Sequence, residues 1–392
     1  MNVIFIGSPK TEKIMQEIVE SGSIVNFAAN TLQNALLEGF SKVCKKLKVI
    51  CAWDSSPYPH VNRIYYAPSV FNTDTKSCSV NFMGAINLPV FNLFDRFLRV
   101  RKELKRSILK NEKNAVIIYE VHTPYLLAVA TLHRRIDKVC LIVPDLPQYM
   151  SGKSGFWHKL AKNIDKTIID ICLKYIDSYA LLSEPMAEKL PMEGKTWTLM
   201  EGIFQEEEHE EHVDKASEKV IMYTGNIYKR RGVDLLLDAF QTIEDTNYRL
   251  WIRGNGDLKE EIIERSKKDS RITYFEPMSM SELRKLERKA TVMVNTTPPS
   301  MDFSRYFFPS KTMEYLASGT PTVMFRLGCM PSEYDSHVYY VDEESIEALR
   351  NKLIEVCEKP REELIAFGQS AKDFILKQKN PIAQCKKIIE LL

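Results

Sequence analysis

Short apolar runs recur along the first half of the chain and alternate with segments of helical spacing. The runs lie at residues 3–6, 48–53, 115–119, 139–143, 179–182 and 196–200. Most of them are rich in β-branched residues and do not alternate with polar ones, which is typical of parallel strands covered on both faces. Residues 30–46 carry apolar side chains at the spacing of a helix. This alternation predicts a doubly wound α/β domain over residues 1–204.

A charged segment at residues 205–218 interrupts the pattern, and its acidic first half predicts a linker. The alternation of strands and helices then starts again, which predicts a second α/β domain over residues 219–370. Its strand candidates lie at residues 220–224, 248–252, 271–275, 292–294 and 321–325. Ser279 and Glu282 have the spacing of a helix capping box. Residues 371–392 are predicted to form a final helix.

One predicted helix of the second domain has both of its ends marked. Ser310 is a favourable N-cap, Gly319 stands where a helix ends in a left-handed residue, and Pro321 prevents continuation. The backbone N–H groups at the start of such a helix can hold an anion such as phosphate. Glu314 lies four residues further in, which is ~6 Å along the axis at ~1.5 Å per residue. That distance fits the step from a diphosphate to the ribose of a nucleotide.

The stretch from Phe308 to Val323 resembles the nucleotide-sugar motif of glycosyltransferase family 4, the retaining enzymes with the GT-B fold. The family usually carries two glutamates in the pattern E-x7-E. Glu314 corresponds to the second, whereas Tyr306 stands at the position of the first, which contacts the sugar of the donor. The resemblance implies that Ser310 and Lys311 contribute backbone amides to the diphosphate and that Glu314 binds the ribose. An ordinary αβ unit with an exposed glutamate is the alternative.

The resemblance also implies a domain arrangement. Two Rossmann-like domains would face a cleft, with residues 1–204 binding the acceptor and residues 219–370 binding the nucleotide-sugar donor. Residues 205–218 would link them, and the helix over residues 371–392 would cross back to the first domain.

A basic turn after the first strand of the second domain is the second segment that resembles the family. Gly225 allows the backbone to approach a ligand closely. The turn resembles the family segment G-R-x4-K-G, with Arg231 at the lysine position and Asn226 at the arginine position. Lys229 and Arg230 are further cations that could supply the missing charge. In the family, such cations and helix N–H groups stabilise the departing nucleoside diphosphate in place of a metal. A solvated basic turn is the alternative.

Two weaker matches follow the next two strand candidates. Gly254 and Asn255 resemble the family's G-x-G turn, and Phe275 and Met278 lie where the family holds the base by backbone contacts. The resemblance therefore places these four residues in the nucleotide pocket. A plain tight turn explains either pair equally well.

Asp145 is the main candidate of the first domain. It follows the apolar run at 139–143, at the edge of the sheet where open α/β proteins bind ligands. The family often has His-Asp at this place, and Pro144 replaces the histidine. The resemblance implies that Asp145 faces the cleft and contacts the acceptor or the donor sugar, completing a catalytic set with Arg231 and Glu314. A helix cap or turn residue is the alternative.

Two segments indicate contact with a membrane surface, because each combines apolar residues with cations. Residues 154–162 place Phe156 and Trp157 beside cations, and residues 93–110 place an apolar stripe among arginines and lysines. The stripe consists of Leu93, Phe97, Val100, Leu104 and Ile108. A helix packed on the sheet with a solvated basic face is the alternative interpretation.

Composition narrows the class of protein. A length of 392 residues suffices for two domains, and a net charge of +2 argues against a dedicated nucleic-acid binder. The eight cysteines form no CxxC pair, and no Asp-x-Asp follows a strand, so we expect reduced cytosolic thiols and no metal. The first apolar run is too short for a signal peptide, and no run approaches the ~18 residues of a spanning helix.

The sequence therefore predicts a metal-independent glycosyltransferase without a cofactor. It would move a sugar from a nucleotide diphosphate-sugar to a saccharide or lipid-linked acceptor with retention, in the assembly of a bacterial surface polysaccharide. It would act in the cytoplasm or at the inner face of the membrane. The departures at Tyr306 and Asn226 leave open a non-catalytic scaffold with the same fold, and a nucleotide-sugar epimerase on this fold is a second alternative.

Overall fold

A computed structural model describes residues 1–23, 26–53, 56–74, 78–146, 156–205 and 213–392, with the side chains of 156–161 left out. Residues 206–212, half of the predicted acidic linker, therefore lie outside the described residues, as do the aromatic side chains of the segment at 154–162. The chain divides into two compact units. Unit 1 comprises Met1–Leu182, Met186–Ile203 and Pro381–Leu392, and unit 2 comprises Ser183–Pro185 and Phe204–Asn380.

Within the described residues of unit 1, we find ten strands and, before residue 182, five α-helices. The strands are β1 (Asn2–Gly7), β2 (Leu47–Cys51), β3 (Tyr65–Tyr66), β4 (Ser69–Asn72), β5 (Ser79–Phe82), β6 (Ala85–Ile86), β7 (Asn114–Tyr119), β8 (Lys138–Val143), β9 (Ser178–Leu181) and β10 (Thr196–Leu199). The helices are α1 (Glu12–Glu20), α2 (Phe27–Val43), α3 (Phe91–Ser107), α4 (Thr123–Ala130) and α5 (Phe156–Cys172).

The main sheet of unit 1 has the strand order β10-β9-β8-β7-β1-β2-β5-β4. Its pairs are parallel except for β4 with β5, and β3 and β6 form a separate antiparallel pair. Every residue of β1 and β7 is buried, as their unbroken apolar sequences predict. The doubly wound prediction for the first domain is confirmed, and the antiparallel strands between β2 and α3 are an addition to it.

The part of unit 2 that the structure describes has six strands and six α-helices. The strands are β11 (Lys219–Asn226), β12 (Tyr248–Asn255), β13 (Ile272–Phe275), β14 (Val292–Asn295), β15 (Thr322–Phe325) and β16 (Tyr339–Val341). The helices are α6 (Val233–Gln241), α7 (Lys259–Lys268), α8 (Met280–Lys289), α9 (Ser310–Ala317), α10 (Ile346–Cys357) and α11 (Arg361–Gln378). A last helix, α12 (Pro381–Ile389), follows and belongs to unit 1.

The sheet of unit 2 is parallel throughout and has the order β13-β12-β11-β14-β15-β16. This is the Rossmann order, in which the connections diverge between the first and fourth strands and leave room for a ligand at the carboxyl edge. The predicted capping box of α8 is present, with Ser279 and Glu282 bonding each other's backbone N–H groups. Unit 2 thus confirms the second doubly wound domain.

The end of the chain differs from the single helix predicted over residues 371–392. α11 ends at Gln378 within unit 2, and α12 packs on α2 in unit 1. Pro381 opens α12, and a proline is tolerated in the first turn of a helix but not within one. The contact with α2 is close, because a Cβ added to Gly39 would lie 2.2 Å from the carbonyl oxygen of Pro381.

The apolar stripe predicted on residues 93–110 lies on α3. Val100 and Leu104 of this stripe are fully buried, whereas Leu93 is 48% exposed, so the stripe packs inward only in part. None of the helices in the described ranges combines the length and the apolar character that a membrane crossing requires.

Candidate functional site

The carboxyl edge of the unit 2 sheet brings together four predicted residues. Gly225 pairs with Gly254, and Asn226 pairs with Asn255, across β11 and β12. A Cβ added to Gly254 would lie 1.8 Å from the carbonyl oxygen of Gly225, so only glycine fits there. The two glycines let the ends of neighbouring strands and any ligand above them approach closely.

The two residues predicted to hold the base lie beside this edge. Phe275 ends β13, where its ring lies 5.6 Å from that of Trp251 in an edge-on arrangement. Met278 is half-buried in the loop before α8 and packs against a cluster of apolar residues that includes Met222 and Tyr315. Phe275 pairs with Arg253 of β12, the residue before Gly254.

The start of α9 differs from its prediction by one residue. Pro309 occupies the N-cap with extended backbone angles, whereas Ser310 is already helical, so the assignment of Ser310 as N-cap is wrong. Proline has no side-chain oxygen with which to accept a hydrogen bond from the first-turn N–H groups. Gly319 follows the helix with a φ of 74°, as predicted, and β15 begins at Thr322.

Buried hydrogen bonds hold α9 against the two central strands. The Asn295 side chain at the end of β14 donates to the Thr312 hydroxyl at 3.1 Å. The Tyr315 hydroxyl accepts from the backbone N–H of Thr224 at 3.1 Å and also bonds its carbonyl oxygen. A Cβ at Gly225 would point to within 3.9 Å of Lys311 Cγ. The first turn of α9 thus lies against the end of β11, at the point where the strand order reverses.

Lys311 and Glu314 form an ion pair on the accessible side of α9. The ammonium nitrogen lies 2.5 Å from a carboxylate oxygen, and the two side chains are 35% and 33% exposed. Both groups are therefore reachable by a ligand. A phosphate that attracts Lys311 would release the Glu314 carboxylate to accept hydrogen bonds from another part of the same ligand.

Arg231 reaches the loop that leads into α9. Its guanidinium lies 5.1 Å from the ring centre of Phe303 and 5.3 Å from that of Phe307, three residues before α9 begins. Its carbonyl oxygen accepts a hydrogen bond of 2.8 Å from the Thr296 hydroxyl. Burial lowers the pKa of Arg231, as does the neighbouring Arg230 cation, but an arginine remains charged at neutral pH. The cation is therefore held in place beside the helix start.

Lys229 and Arg230 are more loosely placed than Arg231. The Lys229 ammonium is mostly exposed and 4.0 Å from the Asp234 carboxylate, while its backbone N–H donates to Asp257 at 3.1 Å. The Arg230 guanidinium lies 5.2 Å from the ring centre of Tyr228 and is exposed. Exposed cations on flexible stems attract an anion less specifically than a fixed one.

Tyr306, at the position of the family's first glutamate, is buried. Its carbonyl oxygen accepts a hydrogen bond of 2.9 Å from the Ser183 hydroxyl. The position therefore contributes packing and a backbone contact, and it offers no carboxylate to a ligand.

Sequence reasoning missed Glu287, a buried carboxyl group on α8. It accepts a hydrogen bond of 2.9 Å from the Thr224 hydroxyl. Burial raises the pKa of Glu287 to about 7, the Glu314 charge acts in the same direction, and the Lys311 charge opposes it. A signal existed, because Glu287 lies four residues after Leu283 and so occupies a core position of the helix.

Asp145 lies in unit 1, two residues after β8, and is partly buried. Burial raises the pKa of its carboxyl group. Its charge and that of Glu120 add to burial in raising the pKa of the Tyr119 hydroxyl. Glu120 follows β7 with a φ of 78°, a left-handed conformation that costs free energy in a residue other than glycine. Two carboxyl groups, one of them on a strained residue, thus gather at the carboxyl edge of this sheet.

A second polar hollow lies at the same edge, after β2 and β5. Its lining combines an aromatic ring, amides and guanidinium groups, contributed by Trp53, Asn87, Asn92, Arg96 and Arg99 among others. The Trp53 ring stacks on Tyr66 at 3.9 Å. Sequence reasoning did not predict this hollow, because its residues come from three separate segments of the chain.

Comparison with known protein families gives a match within unit 2, the unit that carries the candidate donor residues. Residues 218–359 match the sequence model of a family described as glycosyl transferases group 1. No curated protein matches the sequence.

Many solved structures match the chain, and the three named here do so over nearly their full length. A sucrose-phosphate synthase from Thermosynechococcus elongatus has a TM-score of 0.63 at 14% identity, covering 100% of this chain and 98% of that one. Anabaena HepE in complex with UDP has a TM-score of 0.62 at 12% identity, with coverage of 100% and 99%. An α,α-trehalose-phosphate synthase from Burkholderia xenovorans has a TM-score of 0.57 at 11% identity, with coverage of 100% and 100%.

At these identities the structural likeness shows the fold alone, which is the GT-B fold of two Rossmann-like domains. Residues 218–359 of this chain are similar to the glycosyl transferases group 1 family.

Proposed function

We propose that the protein transfers a sugar, with retention of anomeric configuration, from a nucleotide diphosphate-sugar to a lipid-linked or oligosaccharide acceptor. The observation that carries the proposal is the meeting of two distant segments in unit 2. The end of β11 lies against the first turn of α9, so that Gly225 and Lys311 are neighbours. UDP is the first donor nucleotide to test, because the structures of HepE and of the pneumococcal transferase GtfA contain it.

The donor would lie along the carboxyl edge of the unit 2 sheet. Its diphosphate would accept hydrogen bonds from the backbone N–H groups of Ser310 and Lys311. Arg231 and the Lys311 ammonium would neutralise it, and Glu314, freed from Lys311, would accept hydrogen bonds from the ribose hydroxyls. Gly254, where a Cβ would strike the Gly225 carbonyl oxygen, would keep the ends of β11 and β12 close together beneath the nucleoside.

The main chemical demand is the departure of the nucleoside diphosphate, which gains negative charge as the glycosidic bond breaks. Arg231 stays charged and is held against two aromatic rings, so it needs little rearrangement when that charge develops. Asp145 of unit 1 would contact the acceptor or the transferred sugar. Retention would leave the new bond on the same face of the sugar as the old one.

The acceptor would bind to unit 1, where the hollow beside Trp53 offers the groups that saccharides favour. An aromatic ring packs on the apolar face of a sugar, and the guanidinium group of Arg96, which is 2.9 Å from His122 Nε2, suits an anionic substituent such as phosphate. A phosphate-bearing lipid-linked saccharide has both features. We therefore place the enzyme in the assembly of a bacterial surface polysaccharide, acting peripherally at the inner face of the membrane.

The experiment measures UDP binding by calorimetry and slow hydrolysis of UDP-sugars, in the wild type and in Glu314→Ala. Loss of the ribose contacts should weaken binding by about 2 kcal/mol, which is about thirtyfold, and hydrolysis should disappear. Glu362→Ala, an exposed glutamate of α11, serves as the control and should bind UDP normally. Unchanged UDP affinity in Glu314→Ala would contradict the proposed donor site.

Product analysis separates the remaining alternatives. An epimerase would convert the sugar of the donor without an acceptor, and a scaffold would bind nucleotide but show neither hydrolysis nor transfer with any membrane extract. Transfer with retention would show as a product whose anomeric configuration, measured by NMR, equals that of the donor.

A further inference from the structure

The N-terminal half of α3 presents apolar side chains to solvent. Phe91, Phe94 and Leu98 are 68%, 61% and 46% exposed. Their spacing of three and then four residues places them on one side of the helix. Val90, immediately before the helix, is more exposed still. Burying such side chains in an apolar medium is favourable, so a cluster of this kind marks a surface for interaction.

The other sides of α3 have contacts of their own, so the exposed apolar residues do not belong to the hydrophobic core. The opposite side of the helix packs on the sheet through Val100, Leu104 and Ser107, which are buried. A third side lines the hollow described above through Asn92, Arg96 and Arg99. The exposed apolar residues therefore form a face of their own, which we call the outer face of α3.

Cations continue the outer face along the C-terminal half of the helix. Lys102 and Lys105 follow Leu98 at intervals of four and three residues and are exposed. The two acidic residues of the helix are engaged on other sides. Asp95 pairs with Arg99 at 2.7 Å, and Glu103 accepts a hydrogen bond from Asn81 at 3.0 Å. The outer face thus combines apolar groups with positive charge and carries no carboxylate.

We propose that the outer face of α3 docks on an anionic lipid bilayer. Phe91, Phe94 and Leu98 would enter the boundary between head groups and acyl chains, while Lys102 and Lys105 lie among the anionic head groups. The charge favours this occupant over a second copy of the chain, since two such faces would bring like charges together.

Docking of α3 on a bilayer would also give the hollow of unit 1 a role in binding the acceptor. Because Arg96 lies on the same helix as the outer face, a membrane-bound α3 holds the hollow close to the head-group layer. The head of a lipid-linked acceptor then reaches the hollow without leaving the bilayer. The identification of the acceptor as lipid-linked rests on the proposed function. The docking of α3 on the bilayer does not rest on it.

The test is co-sedimentation of the full-length protein with lipid vesicles. Vesicles of phosphatidylglycerol and phosphatidylcholine in equal parts should bind the protein, and pure phosphatidylcholine should bind it much less. The double variants Phe91→Glu with Phe94→Glu, and Lys102→Glu with Lys105→Glu, should each lower the partition coefficient about tenfold or more. Raised salt should weaken the binding of the wild type.

Val70→Glu is the matched control, because Val70 on β4 is 69% exposed but lies outside α3. It should bind anionic vesicles like the wild type. Absence of vesicle binding, or equal binding by the wild type and both double variants, would overturn the proposal. So would self-association of the wild type, without lipid, that Phe91→Glu with Phe94→Glu abolishes. UDP binding measured on the same samples distinguishes this failure from a failure of the donor site.

Discussion

Replacing Glu287 by glutamine should stabilise unit 2, and the gain should grow as the pH rises. The Glu287 carboxyl is buried on α8, next to the Thr224 hydroxyl and within the field of Lys311 and Glu314. Glutamine has almost the same shape and keeps an oxygen that accepts the hydrogen bond from Thr224. The substitution therefore removes the charge of the ionised form and little else.

The magnitude follows from the pKa of Glu287, which burial raises from 4.5 to about 7. A carboxyl group whose pKa is higher in the folded than in the unfolded chain stabilises the fold at low pH. It loses that contribution as the pH rises from the unfolded value through the folded one. At about 1.36 kcal/mol per pH unit, the interval corresponds to about 3 kcal/mol. The variant should thus resemble the wild type near pH 4.5 and exceed it by about 3 kcal/mol near pH 8.

Hydrogen exchange of the β11 amides measures this difference within unit 2, since exchange of core amides requires opening of the surrounding structure. Comparing variant and wild type at the same pH cancels the intrinsic exchange rate. We expect Glu287→Gln to slow exchange about a hundredfold near pH 8 and only severalfold near pH 5. Glu260→Gln, an exposed glutamate of α7, should leave exchange unchanged. A ratio that is the same at both pH values, or a variant that exchanges faster near pH 8, would refute the reasoning.

Two substitutions test close backbone contacts. Gly254→Ala would place a Cβ 1.8 Å from the Gly225 carbonyl oxygen; we expect calorimetry to show a stability loss of about 1–3 kcal/mol and weaker UDP binding. Gly328→Ala, whose Cβ would meet its nearest atom at 3.6 Å, should change neither. Gly39→Ala would place a Cβ 2.2 Å from the Pro381 carbonyl oxygen, so the backbone amides of residues 381–392 should exchange hydrogen faster. Unchanged protection of these amides would contradict the packing of α12 on α2.

The candidate donor site shows how much of a binding site can be predicted from local sequence patterns. Gly225, Arg231 and Glu314 were predicted from their positions after a strand, in a basic turn and within a helix, and the structure gathers the segments that carry them. Their roles in binding remain predictions. The prediction of Ser310 as N-cap failed by one residue, because Pro309 already provides the extended conformation that precedes the helix.

The residues that escaped prediction depend on contacts between distant segments. Phe303 and Phe307 approach Arg231 only because the loop after β14 folds over the turn after β11. Trp53 and Arg96 line one hollow only because β2 and α3 adjoin. Neither contact can be predicted from the spacing of residues along the chain.

The sequence by itself determined the alternation of strands and helices, the burial of the strands on both faces, and most helix ends. These features depend on side chains within a few residues of each other, and the chain carries their signals locally. The tertiary structure decided which side of α3 faces solvent, that Glu287 is buried beside Thr224, and that α12 joins unit 1. Each of these outcomes depends on the order of strands in a sheet and on what packs against it, which is a property of residues far apart in the chain.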